Sequence, residues 1–257
     1  MKAIFVFALI ICSFSSFCNN KEEKEYYQIT VYHFTTTAQE QVLDNYLEKA
    51  LLPALHKNKF TDIGVFKPLS NDTAADKTIY IFMHAKSIVD FAGISGTLAK
   101  DNDYSTASKE YREAAFNAAP FTRYETILLG AFPLALKMNL PVLKNPKTER
   151  IYELRSYESP TESLYSSKVK MFNEGGEIGL FKRIGSNAVF YADVISGSKM
   201  PNLMYMTTYE NMAERDAHWK AFFDSPEWKS IVGLPEYQHN VSKGETMLMH
   251  ATAYSDF

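Results

Sequence analysis

The sequence predicts an α+β fold of two tandem ferredoxin-like repeats, each in the order strand, helix, two strands, helix, strand, packed sheet to sheet as one pseudo-dimeric α/β barrel. Three observations carry this. Stretches of alternating aromatic and β-branched residues recur between stretches of three- and four-residue apolar spacing. The order of these elements in the first half returns in the second, so that Gln28, Thr30 and Tyr32 fall on Glu153, Arg155 and Tyr157. A run containing Pro133, Pro141 and Pro146 separates the halves, which suits an extended connector. A single ferredoxin-like unit leaves one sheet face apolar and uncovered, so two units on one chain bury those faces together.

Tyr26 to Phe34 alternates and is rich in strand-forming residues. A helix is expected from Thr37 to Asn58, where Val42, Leu43, Tyr46, Leu47, Ala50, Leu51 and Leu55 share one face. Ile63 to Phe66 and Thr78 to His84 are expected to form a hairpin around the polar turn Asn71 to Asp76. Helices follow at Ser87 to Lys100 and Ala107 to Asn117, the second stopped before Pro120, and Phe121 to Leu129 returns as a strand. In the second half the expected strands are Arg150 to Tyr157, Ile178 to Ile184, Ala188 to Val194, Leu203 to Tyr209 and Glu245 to Ala253. The expected helices there are Thr161 to Asn173, Ala213 to Phe223 and Glu227 to Val232. The division is residues 1–18 as a signal, 19–132 as repeat 1, 133–147 as linker and 148–257 as repeat 2.

The first 18 residues have the logic of an export signal: Lys2, an apolar run from Ala3 to Ile11, then Ser13, Ser15 and Ser16. No later stretch approaches the roughly 18 to 20 consecutive apolar residues needed to span a bilayer. Cys18, followed by Asn19, Asn20, Lys21, Glu22 and Glu23, is a candidate lipidation site; simple cleavage nearby is the alternative. The expected location is outside the cytoplasm, periplasmic or as a lipid-anchored lipoprotein. Cys12 and Cys18 are the two cysteines of the chain, so the folded part has no internal disulfide and no cysteine-based metal or thiol chemistry.

With 46% hydrophobic residues and a net charge of -3, the chain builds a core and carries no basic stripe for phosphates, which excludes nucleic acid as a partner. The run Ile151-Tyr152-Glu153-Leu154-Arg155-Ser156-Tyr157 resembles the opening strand of NIPSNAP domains. Leu203 to Met206, leading to Arg215, Trp219, Phe222 and Trp228, is similar to that family's strand and its helix bearing arginine and tryptophan. The first half is a looser likeness, with Thr30 where the arginine stands and no tryptophan helix. The resemblance implies the dimeric α/β barrel superfamily, which holds small monooxygenases, stress-responsive proteins and haem-dependent relatives.

Gln28, Thr30 and Tyr32 share one strand parity with Glu153, Arg155 and Tyr157. This polar set is expected to point into the barrel, while Tyr27, Ile29, Val31, Tyr152 and Leu154 pack against helices. Arg155 and Glu153 then form either an internal ion pair or an anion-recognising site ringed by tyrosines. His84 and His250 lie on predicted strands as candidate ligands or general bases, or as hydrogen-bonded interior residues. None of the six histidines has metal-ligand spacing, so neither metal nor cofactor is expected, with haem the alternative from the resemblance. Arg215, Trp219 and Phe222 occupy one helix face and are expected to serve packing. The leading functional expectation is a small-ligand binding barrel, a candidate homo-oligomer whose link to a membrane is through the lipid anchor alone. A cofactor-independent or haem-dependent oxygenase and a packed interaction module are the alternatives.

Overall fold

Alternation and helical spacing set most of the elements where the sequence puts them. The computed structural model describes residues 23–257; the expected signal, Cys12 and Cys18 lie outside the described residues. Strand β1 is Tyr26–Phe34. Helix α1, Thr37–Tyr46, starts from a capping box in which Thr36 and Gln39 satisfy each other's backbone N–H groups. It continues through a π-helical turn, Leu47–Leu51, into α2, Leu52–Lys57. Pro53, in the first turn of α2, has no N–H to give the α-helical ladder, and the wider turn before it accommodates that break. Strands β2 (Gly64–Pro68) and β3 (Lys77–Ala85) follow, then α3 (Ile88–Leu98), α4 (Asn102–Ala107), α5 (Lys109–Arg112) and β4 (Arg123–Ala131).

The second half runs β5 (Ile151–Glu158), α6 (Glu162–Asn173), α7 (Glu177–Arg183), β6 (Asn187–Ser196), β7 (Asn202–Tyr209), α8 (Met212–Asp224), α9 (Pro226–Val232) and β8 (Lys243–Ala251). Two expectations are corrected. Residues 178–184, expected as a strand, belong chiefly to helix α7; Gly176, at φ 89°, turns the chain sharply out of α6, and a short apolar run cannot by itself distinguish helix from strand. The helix expected from Ala107 to Asn117 is replaced by α4, capped by Asp101, and the single turn of α5.

All strands pair antiparallel into one closed barrel, in the order β1-β3-β2-β8-β5-β7-β6-β4. The seams between halves are β2 with β8, where Phe66 faces Ala251, and β4 with β6, where Leu129 faces Val194. Sheet edges that a lone repeat would leave open are therefore hydrogen-bonded to the other repeat.

Three cores result. The barrel interior is filled by Tyr27, Ile29, Val31, Phe82, Tyr152, Leu154, Phe190, Met204 and Met206 from both halves. Between the first sheet and its helices lie Tyr32, Leu43, Leu47, Ile79, Ile81 and Phe91. Between the second sheet and its helices lie Phe172, Phe181, Tyr205, Trp219 and Phe222. The expected facing of the opening strands is thus reversed: Tyr27, Ile29, Val31, Tyr152 and Leu154 point into the barrel, and Gln28, Thr30, Tyr32, Glu153, Arg155 and Tyr157 lie under the helices. An eight-stranded barrel is wide enough to be filled by its own side chains or to hold one small ligand. Rings close one end here, with Phe82 stacked on Phe190 at 5.0 Å and Phe257 set edge-on against Phe66 at 5.3 Å. Each such fully buried ring contributes about 1.5–3 kcal/mol relative to exposure.

Candidate functional site

The layer between sheet and helices differs between the halves. In the second, the Glu153 carboxylate has no exposure to solvent and accepts four hydrogen bonds. Oε2 receives Arg215 Nε at 2.7 Å and Trp219 Nε1 at 2.9 Å. Oε1 receives Arg215 Nη2 and Arg155 Nη1, each at 3.2 Å. Strand β5 supplies the acid and one arginine, and α8 supplies the other arginine and the indole four residues on, one helical turn apart. Hydrogen bonding to Glu153 holds the Arg215 guanidinium above the usual arginine range. Arg155 Cζ lies 4.2 Å from the Trp219 ring centroid and 5.6 Å from that of Tyr157, and its Nε has no partner.

A second buried pair lies beside this cluster: Lys168 Nζ is 3.0 Å from Glu177 Oε2 and 4.7 Å from the Phe172 ring centroid. Tyr157 and Tyr205 share a hydroxyl contact of 3.0 Å. The space over Glu153 and Arg155 is occupied by Trp219, Phe181 and Phe222, whose rings are 4.6–5.7 Å apart. Every charge in this layer is paired or stacked, as buried charges must be.

In the first half the matching floor is neutral and open. Gln28, Thr30 and Tyr32 line a cavity of about 400 Å³, walled by Tyr46 and Leu51 of the first helical run, Ile94 and Ser95 of α3, and Tyr104 and Tyr111 of α4 and α5. Tyr124 and Thr126 of β4, Arg112 and apolar side chains including Ile81, Met83 and Phe91 also line it. Tyr46 and Tyr111 stack face to face at 3.7 Å. Tyr111 donates to the Tyr32 hydroxyl at 3.0 Å, and Tyr46 and Tyr104 share a 3.1 Å contact. Burial drives the Tyr32 and Tyr46 hydroxyls far above the usual range and pushes Tyr111 up to about 12. These three phenols are therefore protonated at neutral pH. The π-turn brings Tyr46 and Leu51 to the cavity wall. Helix α3 covers it with Phe91, Ile94, Ser95 and Leu98, while Gly93 and Gly96 face solvent.

The expected site residues therefore separate. Gln28 and Tyr32 line the first cleft, while Glu153, Arg155 and Tyr157 belong to the packed cluster of the second. His84 sits at the end of β3 over a groove of about 620 Å³ between α2 and α3, with Nδ1 3.5 Å from Glu25 and Nε2 3.8 Å from Asp62. Glu25 holds the His84 imidazole above the usual histidine range. His250 Nδ1 lies 2.8 Å from the Arg150 carbonyl oxygen. Neither imidazole lines the tyrosine cleft, and no group of three or more His, Cys, Asp or Glu among the described residues is arranged for a metal. No helix of the described residues is long and apolar enough to cross a membrane. Sequence reasoning missed the ring of Tyr46, Tyr104, Tyr111 and Tyr124, which comes from separate elements, and took Arg215 and Trp219 for packing although both bind Glu153.

Residues 152–256 match the NIPSNAP family model. No curated protein matches the chain in sequence. Among solved structures, a candidate monooxygenase from Fusobacterium nucleatum aligns over 90% of this chain and 93% of its own, at 8% identity and a TM-score of 0.58. One from Lactobacillus acidophilus aligns over 89% and 94%, at 11% identity and 0.55. An anthrone oxidase-like protein aligns over 90% and 92%, at 10% identity and 0.50. These likenesses establish a shared α+β barrel fold.

Proposed function

We propose, from a NIPSNAP domain in the second half and an open cleft in the first, that this protein binds a small, planar, uncharged aromatic molecule carrying hydroxyl or carbonyl groups. One observation carries the reading: the layer that Glu153, two arginines and Trp219 fill in the second half is left as a cavity of about 400 Å³ in the first. That volume lies within the range of roughly 300–1,000 Å³ of small-molecule pockets. Stacked tyrosines supply flat apolar walls. Gln28, Thr30, Ser95 and Thr126 supply neutral donors and acceptors, and Arg112 is the charged residue of the lining. An anion would find one cation at the edge and no paired cradle.

Oxygenation, the activity for which two of the aligned structures are candidates, is the second reading. The cleft lining holds neither imidazole nor carboxylate, and Tyr32, Tyr46 and Tyr111 are held protonated. Binding is therefore what the residues support, and oxygenation would fall to a substrate that ionises without their help.

The test is thermal stabilisation by 1-naphthol, naphthalene and 1-naphthoate, with Thr30→Trp to fill the cleft floor. Saturable stabilisation by 1-naphthol above the other two, lost in the variant, supports the reading. Equal responses, or a response surviving Thr30→Trp, refutes it. Oxygen uptake in the same samples separates binding from oxygenation. Export is part of the proposal, resting on Lys2 and the run Ala3 to Ile11; N-terminal sequencing of the mature protein, with mass analysis for lipid on Cys18, tests it.

A further inference from the structure

The opposite face of the sheet carries a second cavity. At the end of the barrel away from the Phe82 and Phe190 rings, a cup of about 470 Å³ opens to solvent, with Val31, Tyr80, Ile127, Leu154, Met204 and Met247 along its walls. These come from both halves, so neither repeat makes the cup alone. The aromatic plug closes it below.

The rim is acidic by symmetry and unbalanced in its pairing. Strand register places Thr30 opposite Thr126 and Arg155 opposite Thr246; Glu125 and Glu245, one position earlier, are therefore equivalent in the two repeats. Both share the inward parity of Ile127 and Met247. Glu245 is held by Lys199 and, at 2.6 Å, by Lys243. Asp76 is held by His33 at 2.8 Å. Glu125 receives only the Ser198 hydroxyl, at 3.1 Å, and takes part in no ion pair among the described residues. Burial raises the Tyr80 hydroxyl above its usual range, with smaller contributions from Glu125, Glu245 and Asp76 and an opposing hydrogen bond with Thr78.

We propose that the barrel mouth is a second ligand site, taking a small primary amine whose apolar body enters the cup and whose ammonium pairs with Glu125. The cup has one apolar side, neutral polar groups such as Asn71, Thr78, Ser156 and Asn202, its Lys199 engaged by Glu245, and a single carboxylate outside any ion pair among the described residues. It fits such a cation better than an alcohol, which leaves the charge unpaired, or a carboxylate, which meets like charge. The site stands apart from the tyrosine cleft: Glu125 and Thr126 lie on opposite faces of β4, so either reading can fail without the other.

The experiment is calorimetric titration of the whole protein at pH 7 with 2-phenylethylamine, 2-phenylethanol and 3-phenylpropanoate. The amine should bind about tenfold or more tightly than the alcohol, the change expected from one favourable charge contact. Glu125→Gln should remove that preference while leaving alcohol binding unchanged, and Glu125→Asp should retain it. Equal affinity for amine and alcohol, or an amine preference that survives Glu125→Gln, overturns the proposal. Tighter binding of 3-phenylpropanoate than of the amine overturns it in favour of an anion site built on Lys199.

Discussion

Removing Arg155 should cost much less than removing Arg215, although the sequence nominates Arg155 as the partner of Glu153. The carboxylate takes two hydrogen bonds from Arg215, one from Trp219 and one from Arg155. Arg155→Met removes one 3.2 Å bond and the contact over Trp219, about 1–2 kcal/mol. Arg215→Met removes two bonds, the shorter at 2.7 Å, and should cost about 3 kcal/mol. Glu153→Leu leaves two guanidiniums without their buried partner, about 3–5 kcal/mol. The combination Glu153→Leu, Arg155→Met and Arg215→Met replaces the whole cluster with apolar side chains and should recover most of that loss. Urea unfolding measures all four, and in a chain of this size each kcal/mol also shifts the melting temperature by about 2–4 °C. Equal costs for Arg155→Met and Arg215→Met, or a triple variant no more stable than Glu153→Leu, would refute the shared-carboxylate account.

Three further outcomes are expected. Trp219→Ala should destabilise by about 3–5 kcal/mol, and Trp219→Phe by the smaller cost of the indole bond to Glu153, about 1.5–3 kcal/mol; urea midpoints separate the two. The His84 imidazole, held above its ordinary 6.5 by Glu25, contributes stability that is complete below pH 6.5 and lost as pH rises through its folded value. Urea midpoints of the parent should therefore fall on the alkaline side relative to those of His84→Asn; parallel profiles would show the pair to be inert. Residues 23–132 and 148–257 expressed separately each expose the barrel's apolar face and two unpaired edges, β4 and β2 in one and β8 and β6 in the other. They should aggregate or self-associate in size-exclusion chromatography, and two well-behaved monomers would contradict the shared barrel.

The element order and most strand boundaries were legible because Tyr26–Phe34, Lys77–Ala85 and Asn202–Tyr209 are rich in β-branched and aromatic residues and the helices keep their three- and four-residue spacing. Which face of β5 turns inward was not. Tyr152 and Leu154 are buried on one side and Glu153 on the other, so both faces are covered and alternation marks parity without naming the inner side. Polarity misled: Glu153 lies under the helices because α8 brings Arg215 and Trp219 to it, a meeting across more than sixty residues of chain that no local pattern encodes. The tyrosine cleft was half legible. Gln28 and Tyr32 were found from repeat symmetry, whereas Tyr104 and Tyr111 ride on α4 and α5, whose short turns lack a distinctive period.

Joining both repeats on one chain has a consequence for inheritance. In a two-fold dimer of identical subunits every codon change appears at both related positions, so whatever closes one cleft closes its mate. Here the position of Thr30 can vary while that of Arg155 stays fixed. The second half can be conserved as a framework while the first drifts toward new ligands. A saturation mutagenesis library should then divide at the β4–β6 and β2–β8 seams, with intolerance concentrated around Glu153 and permissiveness around Thr30, two grades of constraint within one continuous sheet.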